Sequence, residues 1–217
     1  MSHTPSRRSF LASTSSLAGL GMLPIRWPFG GRPAASGWDL SWIDELRGKH
    51  KQVFSVGSLP QNDPLLVVTN YLDAHLEVYG LAYPDINTVV GIARRGFPIN
   101  ASDALWAKYE LGRRWQLKDP QTNDWATRNI YMDNMPAPPG KVVGIKTLQA
   151  RGTIFWQCNN ALGGIVRQFA LELKDSQDTI RQELIAGFVP GVRLVPAHTM
   201  LLGLVQERGC TYEGIGG

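Results

Sequence analysis

Along the chain, the apolar positions switch repeatedly between the spacing of a helix and that of a short buried strand. In "GWDLSWIDELRGKHKQ", Leu40, Ile43 and Leu46 recur at helical spacing, and a strand-like "VFSVG" follows at 53–57. Beyond the breaker "LPQNDP", Leu65, Val68, Leu72, His75, Leu76 and Tyr79 share one helical face, with Gly80 as a suitable stop. "NTVVGIA" at 87–93 is apolar on both faces, the pattern of a strand buried inside a sheet. "NASDALWAKYELG" predicts a helix capped by Asn100 or Ser102 and ending near Gly112.

From Lys141 the alternation continues. It predicts a helix over "VVGIKTLQARG", a strand "TIFWQ", a helix "NALGGIVRQFALEL" and a further helical piece "SQDTIRQELIAGF". A strand "VRLVP" at 192–196, a helix "HTMLLGLVQERG" and a last strand "CTYEGI" follow. Short apolar strands alternating with helices argue for a parallel sheet covered on both faces. There is no internal repeat. Residues 113–140 break the pattern: they lack a period and hold Pro120, Pro136, Pro138 and Pro139. A stretch of that length is either a functional flap or the holder of a short element around "RNIYM". Its Trp115, Trp125, Tyr131, Met132 and Met135 either pack it onto the domain or a neighbouring subunit, or line a pocket.

Composition changes this picture little, but the distribution of charge changes it a good deal. At 217 residues and 43% apolar, the chain has room for one substantial core. Its formal charge of +4 comes from the first 36 residues, where Arg7, Arg8, Arg26 and Arg32 meet no acid. From residue 37 onward eighteen basic residues balance eighteen acidic ones. A neutral body without a concentrated basic stripe argues against nucleic-acid binding.

The basic start has the form of an export address. "SRRSFL" resembles the twin-arginine signal, with Arg7 and Arg8 as its pair, and a weakly apolar stretch runs from it to Pro24. That stretch is too short and too weakly apolar for a stable membrane span. Cleavage is expected after Ser36, or at the neighbouring Ala35, leaving a domain over 37–217 in the periplasm. An oxidising compartment raises the question of the two cysteines, Cys158 and Cys210. Parallel strands put them at opposite ends, on the order of 16 Å apart along the strand direction. A disulfide needs Cα atoms within roughly 7 Å, so they are expected not to pair within a subunit.

"LQARGTIFWQCNNAL", followed by "FVPGVRLVPAHTMLLGLVQERGCTYEGI", resembles the DsrE/DsrF-like family. The resemblance is carried by Gly152 ending a helix, Cys158-Asn159 ending a strand, Pro190-Gly191-Val192, and Val205-Gln206 with Gly209 before a last strand. "VVGIARRGFPINASDALWAKY" fits the middle of the same fold, so the likeness extends over most of residues 50–217. It implies a three-layer α/β/α domain with a mostly parallel five-stranded sheet, in homo- or hetero-oligomers. It also implies a role for some members as persulfide carriers that hand sulfur to a partner protein from the strand-ending cysteine. The insertion at 113–140 is longer than that family core requires.

The candidate chemistry centres on Cys158. A cysteine at the carboxyl end of a strand, with a helix opening at "NALGG", faces free helix N–H groups that favour thiolate over thiol. Asn159 or Asn160 is expected to cap that helix or hold a bound anion. His198, just after "VRLVP", is the candidate basic neighbour, or else a helix-start residue bonding backbone. Arg94 and Arg95, after the second strand, either bind an oxyanion at the same edge or form a plain surface pair. Asp73, His75 and Glu77 point apart around one helix and make no metal site, and no cofactor is expected. Two further classes stay open at this point: a non-catalytic assembly module, with Cys158 as core filler, and a small-ligand binder using the aromatic insertion.

Overall fold

The computed structural model describes residues 37–59, 64–132 and 139–216. The export segment, including Arg7 and Arg8, lies outside the described residues, as do Met135, Pro136 and Pro138.

Five strands form one sheet: β1 (His50–Val56), β2 (Ile86–Ile92), β3 (Ile154–Cys158), β4 (Arg193–Val195) and β5 (Thr211–Ile215). Their spatial order is β4-β3-β2-β1-β5, and every pairing is parallel. A parallel sheet needs a crossover between successive strands, and the helices supply it. They are α1 (Pro64–Tyr79), α2 (Asp103–Lys108), α3 (Leu111–Trp115), α4 (Ile145–Ala150), α5 (Asn159–Leu173), α6 (Gln177–Ala186) and α7 (His198–Glu207).

Side-chain alternation divides these helices between two layers. Phe54, Val56, Val90, Ile92 and Phe155 point to one face and pack with buried residues of α1 through α6. Val53, Val89, Trp156 and Val195 point to the other, where they meet Leu201 and Val205 of α7 and Trp42, Ile43 and Leu46 around a short 3-10 helix, Ser41–Glu45. Fully buried side chains of this size each contribute about 1.5–3 kcal/mol, so both layers are held by apolar burial. The three-layer architecture and the parallel direction agree with the expectation from the sequence.

Two predicted helices are redrawn by tertiary contacts. The helical spacing near residue 40 yields only the 3-10 helix Ser41–Glu45, because His50, Lys51 and Gln52 join β1 between β2 and β5. There Gln52 Nε2 donates to Glu213 Oε2 at 2.7 Å, and the Gly48 N–H donates to Asn87 Oδ1 at 2.6 Å. The helix predicted up to Gly112 breaks at Glu110, which takes a left-handed φ of 48°, so α2 and α3 are separate. Just after the break the chain packs tightly on Ala126: a Cβ at Gly112 would lie 2.1 Å from the Ala126 carbonyl oxygen. Of the two caps considered, Ser102 is the N-cap of α2, whereas Asn100 is buried in a second 3-10 helix, Arg94–Asn100.

Within 113–132 the chain is tied down rather than free. Buried Asn129 donates through Nδ2 to the carbonyls of Ile99 (2.8 Å) and Ala101 (2.7 Å), while its Oδ1 accepts from the Tyr131 N–H. Arg128 pairs with Asp119 at 2.8 Å. "RNIYM" thus forms no helix or strand; it is a buried turn held by side-chain hydrogen bonds.

Candidate functional site

The parallel sheet gathers the carboxyl ends of all five strands along one edge. β3 leads into α5 on one face, and its neighbour β4 leads into α7 on the other. Chain connections diverge between them, and such a point in an open α/β sheet leaves a crevice. Cys158, the last residue of β3, sits there and is only 5% exposed. It is itself the N-cap of α5, its Sγ accepting from the Ala161 N–H at 3.5 Å. The backbone N–H of His198, the first residue of α7, donates to the same sulfur at 3.3 Å. Two helix starts therefore aim N–H groups at one thiol, an arrangement that supports negative charge on the sulfur.

The register of the sheet explains what surrounds it. Pairings align Gly214, Ser55, Gly91, Trp156 and Arg193 in one row across the strands, on the α7 face. The small residues leave a depression that the His198 and Trp156 rings fill in part. A Cβ on Gly91 would lie 2.4 Å from Trp156 Cζ2 and 2.9 Å from His198 Cε1. At the far end of the row Arg193 stacks over the Trp42 ring.

Both ring nitrogens of His198 are engaged. Trp156 Nε1 lies 3.1 Å from Nδ1, and Ser55 Oγ lies 2.8 Å from Nε2. An indole N–H only donates, so Nδ1 must be the acceptor and Nε2 carries the proton, which it gives to Ser55 Oγ. Burial, and secondarily the charge of Arg94, push the imidazole from its ordinary 6.5 down to about 4, so it is neutral at physiological pH. Both ring nitrogens are committed to Trp156 and Ser55 rather than to Cys158. What His198 offers the sulfur is its backbone N–H, the helix-start role.

A cleft of about 710 Å³ opens over this depression, lined by Cys158, Ser55, Arg94, Asn160, His198 and Tyr212 among others. Of the two arginines only Arg94 lines it. Arg95 is exposed and does not line the cleft; its backbone N–H donates to the Gly57 carbonyl and its carbonyl accepts from Trp115 Nε1. Asn159 is likewise withdrawn: its Oδ1 accepts from Arg181 of α6, and the capping role falls to Cys158. Asn160 is exposed and lines the cleft without capping α5. Trp115, Trp125 and Tyr131 do not line it, so the described part of the aromatic insertion builds no wall of this cleft.

Cys210 is a different kind of cysteine. It is buried with Val205 and Trp42 just before β5, and burial pushes its thiol up to about 11. Both cysteines are free. The sheet register separates their rows by six residues, roughly 20 Å along the strands. His50 and His75, which look scattered in the sequence, have ring centroids 5.1 Å apart, with Tyr71 and Tyr79 beside them. Asp73 is committed to Lys141 and Arg151. Among the described residues, no three His, Cys, Asp or Glu side chains come together to hold a metal, and no helix is long and apolar enough to cross a membrane.

No protein-family model matches the sequence, and no curated protein matches it at a significant level. A solved structure of a protein of unknown function from Methanobacterium thermoautotrophicum is similar to this chain, with 13% sequence identity, coverage of 76% of this chain and 99% of that one, and a TM-score of 0.40.

Proposed function

We propose that this is an exported DsrE/DsrF-like protein that carries sulfur as a persulfide on Cys158. The observation that carries the reading is the convergence of the Ala161 and His198 N–H groups on Sγ, at the floor of an open cleft. A thiolate so held attacks the outer sulfur of a persulfide or polysulfide donor. The donor's S–S bond breaks, its electron pair leaves on the inner sulfur as a thiolate, and a new S–S bond forms on Cys158. No net oxidation is required, and the reverse step delivers the sulfur to a partner protein's thiol. Cys158 at the end of β3, "PGV" ahead of β4 and the helix-to-strand ending at Gly209 support the family reading. The twin-arginine pair supports export, and replacing Arg7 and Arg8 together by Lys is expected to hold the protein in the cytoplasm.

The test is to incubate the purified protein with inorganic polysulfide and weigh it intact under native conditions. Gain of sulfur atoms on wild type, absent in Cys158→Ser and mapped to the 158 peptide, is the expected result. Native masses read the subunit count of the expected oligomer in the same spectrum. Sulfur loading that persists in Cys158→Ser refutes the reading.

A further inference from the structure

Among the described residues, the lining of the cleft beside Cys158 includes the cation of Arg94 and no Asp or Glu. Arg94 makes no ion pair and no side-chain hydrogen bond among the described residues, whereas Arg114 is committed to Glu172, Arg128 to Asp119, Arg151 to Asp73 and Arg181 to Asn159. Its charge nevertheless reaches the site, since it contributes to holding His198 neutral.

A second donor is set by the hydrogen-bond chain. Trp156 fixes Nδ1 of His198 as acceptor, Nε2–H is therefore given to Ser55 Oγ, and the Ser55 hydroxyl must spend its own proton elsewhere. No protein acceptor among the described residues takes it, and Ser55 lines the cleft. A serine facing a histidine is ordinarily read as a nucleophile facing its base. Here the direction of the chain is the reverse, and Ser55 becomes a donor aimed at whatever occupies the cleft.

From this we infer that the cleft binds the oxyanion group of a small sulfur compound, a carboxylate or sulfonate gripped by Arg94 and the Ser55 hydroxyl, with its sulfur turned toward Cys158. The inference rests on the reading of Cys158 as the working thiol and adds the class of molecule that meets it. Charge-assisted hydrogen bonds from a guanidinium and a hydroxyl supply selectivity for an anion over a neutral molecule of the same shape. Trp156 and His198 act as positioning residues: neither touches the ligand through a free polar atom, and both determine which way Ser55 points.

The experiment compares alkylation of Cys158 by iodoacetate and by iodoacetamide, which differ in one carboxylate, with glutathione as reference. The wild-type iodoacetate-to-iodoacetamide rate ratio is expected to exceed that of glutathione about tenfold, the size of one charge-assisted contact. Arg94→Gln is expected to return the ratio to the glutathione value, Ser55→Ala to lower it severalfold, and Arg95→Gln, outside the cleft, to leave it unchanged. Taking the ratio removes any change in the thiol's own reactivity. A wild-type ratio no higher than that of glutathione, or one lowered equally by Arg95→Gln, overturns the inference.

If Cys158 reacts with neither reagent, the thiol reading falls and titration calorimetry with inorganic sulfate decides the anion site separately. Sulfate bound by wild type and by Cys158→Ser but not by Arg94→Gln sustains the anion site. Failure of wild type to bind sulfate, or equal binding by Arg94→Gln, refutes it.

Discussion

Trp156 Nε1 donates to His198 Nδ1 across 3.1 Å, and that bond decides what the histidine can do. Protonating Nδ1 would set two N–H groups against each other, on a ring already disfavoured as a cation by burial and by Arg94. The folded pKa of about 4 lies below the ordinary 6.5, so between those values the unfolded chain binds the extra proton. Stability from this group is therefore complete above about pH 6.5 and is lost as pH falls toward 4. The full shift would amount to about 3 kcal/mol; with solvent reaching part of the ring through the cleft, about 2 kcal/mol is expected. Urea unfolding of wild type and His198→Asn at a series of pH values checks this, the variant losing the corresponding slope. Trp156→Phe should let the histidine titrate closer to 6.5, read from its Cε1–H resonance.

Gly91 is the residue on which the rings of that pair close. A methyl there would sit 2.4 Å from Trp156 Cζ2, 2.5 Å from Cε2 and 2.9 Å from His198 Cε1. The indole is fully buried and cannot retreat into solvent. Gly91→Ala is expected to destabilise the domain by about 3 kcal/mol, at the upper end of overpacking costs, and to disturb Cys158 through the displaced start of α7. Denaturant unfolding and the near-UV circular dichroism of the tryptophans report both effects.

Asn129 anchors the segment that the sequence leaves without a period. Asn129→Ala would strand the Ile99 and Ala101 carbonyls and the Tyr131 N–H in a buried setting, at a cost of about 3 kcal/mol. Because none of these groups lines the cleft, Cys158 reactivity in the folded variant should stay within about twofold of wild type. Limited proteolysis cutting first within 113–132 would locate the loosened region.

What was legible in the sequence was whatever depends on neighbours along the chain. "TIFWQC" ending in "NN" marked a strand giving way to a helix, and with it Cys158 at a carboxyl edge. The rest depends on register. That α7 brings a second N–H to the same sulfur follows from β4 lying beside β3, which no local pattern encodes. Ser55, 143 residues from His198, entered no sequence motif. Gly91 in the middle of an apolar strand was the one available signal of a close approach there. Where Asn159 and Arg95 sit is equally nonlocal: Asn159 Oδ1 accepts from Arg181, and Arg95 lies outside the cleft lining that Arg94 joins. The predicted helix near residue 40 gave way because the ladder with β2 and β5 outweighs local periodicity over His50–Gln52.

Chemistry at Cys158 is the centre of the account, and its rate of alkylation by iodoacetamide at neutral pH is the most direct measurement of it. Peptide mapping after timed quenching resolves Cys158 from Cys210 in one folded sample. With two N–H groups aimed at its sulfur and a cleft above it, Cys158 is predicted to react about tenfold faster than glutathione. Cys210, buried and pushed up to about 11, is predicted to react far more slowly than either. Cys158→Ser should keep the fold, since a hydroxyl accepts the same two hydrogen bonds. A Cys158 no faster than Cys210 in the folded protein would contradict the account and make this thiol a core residue.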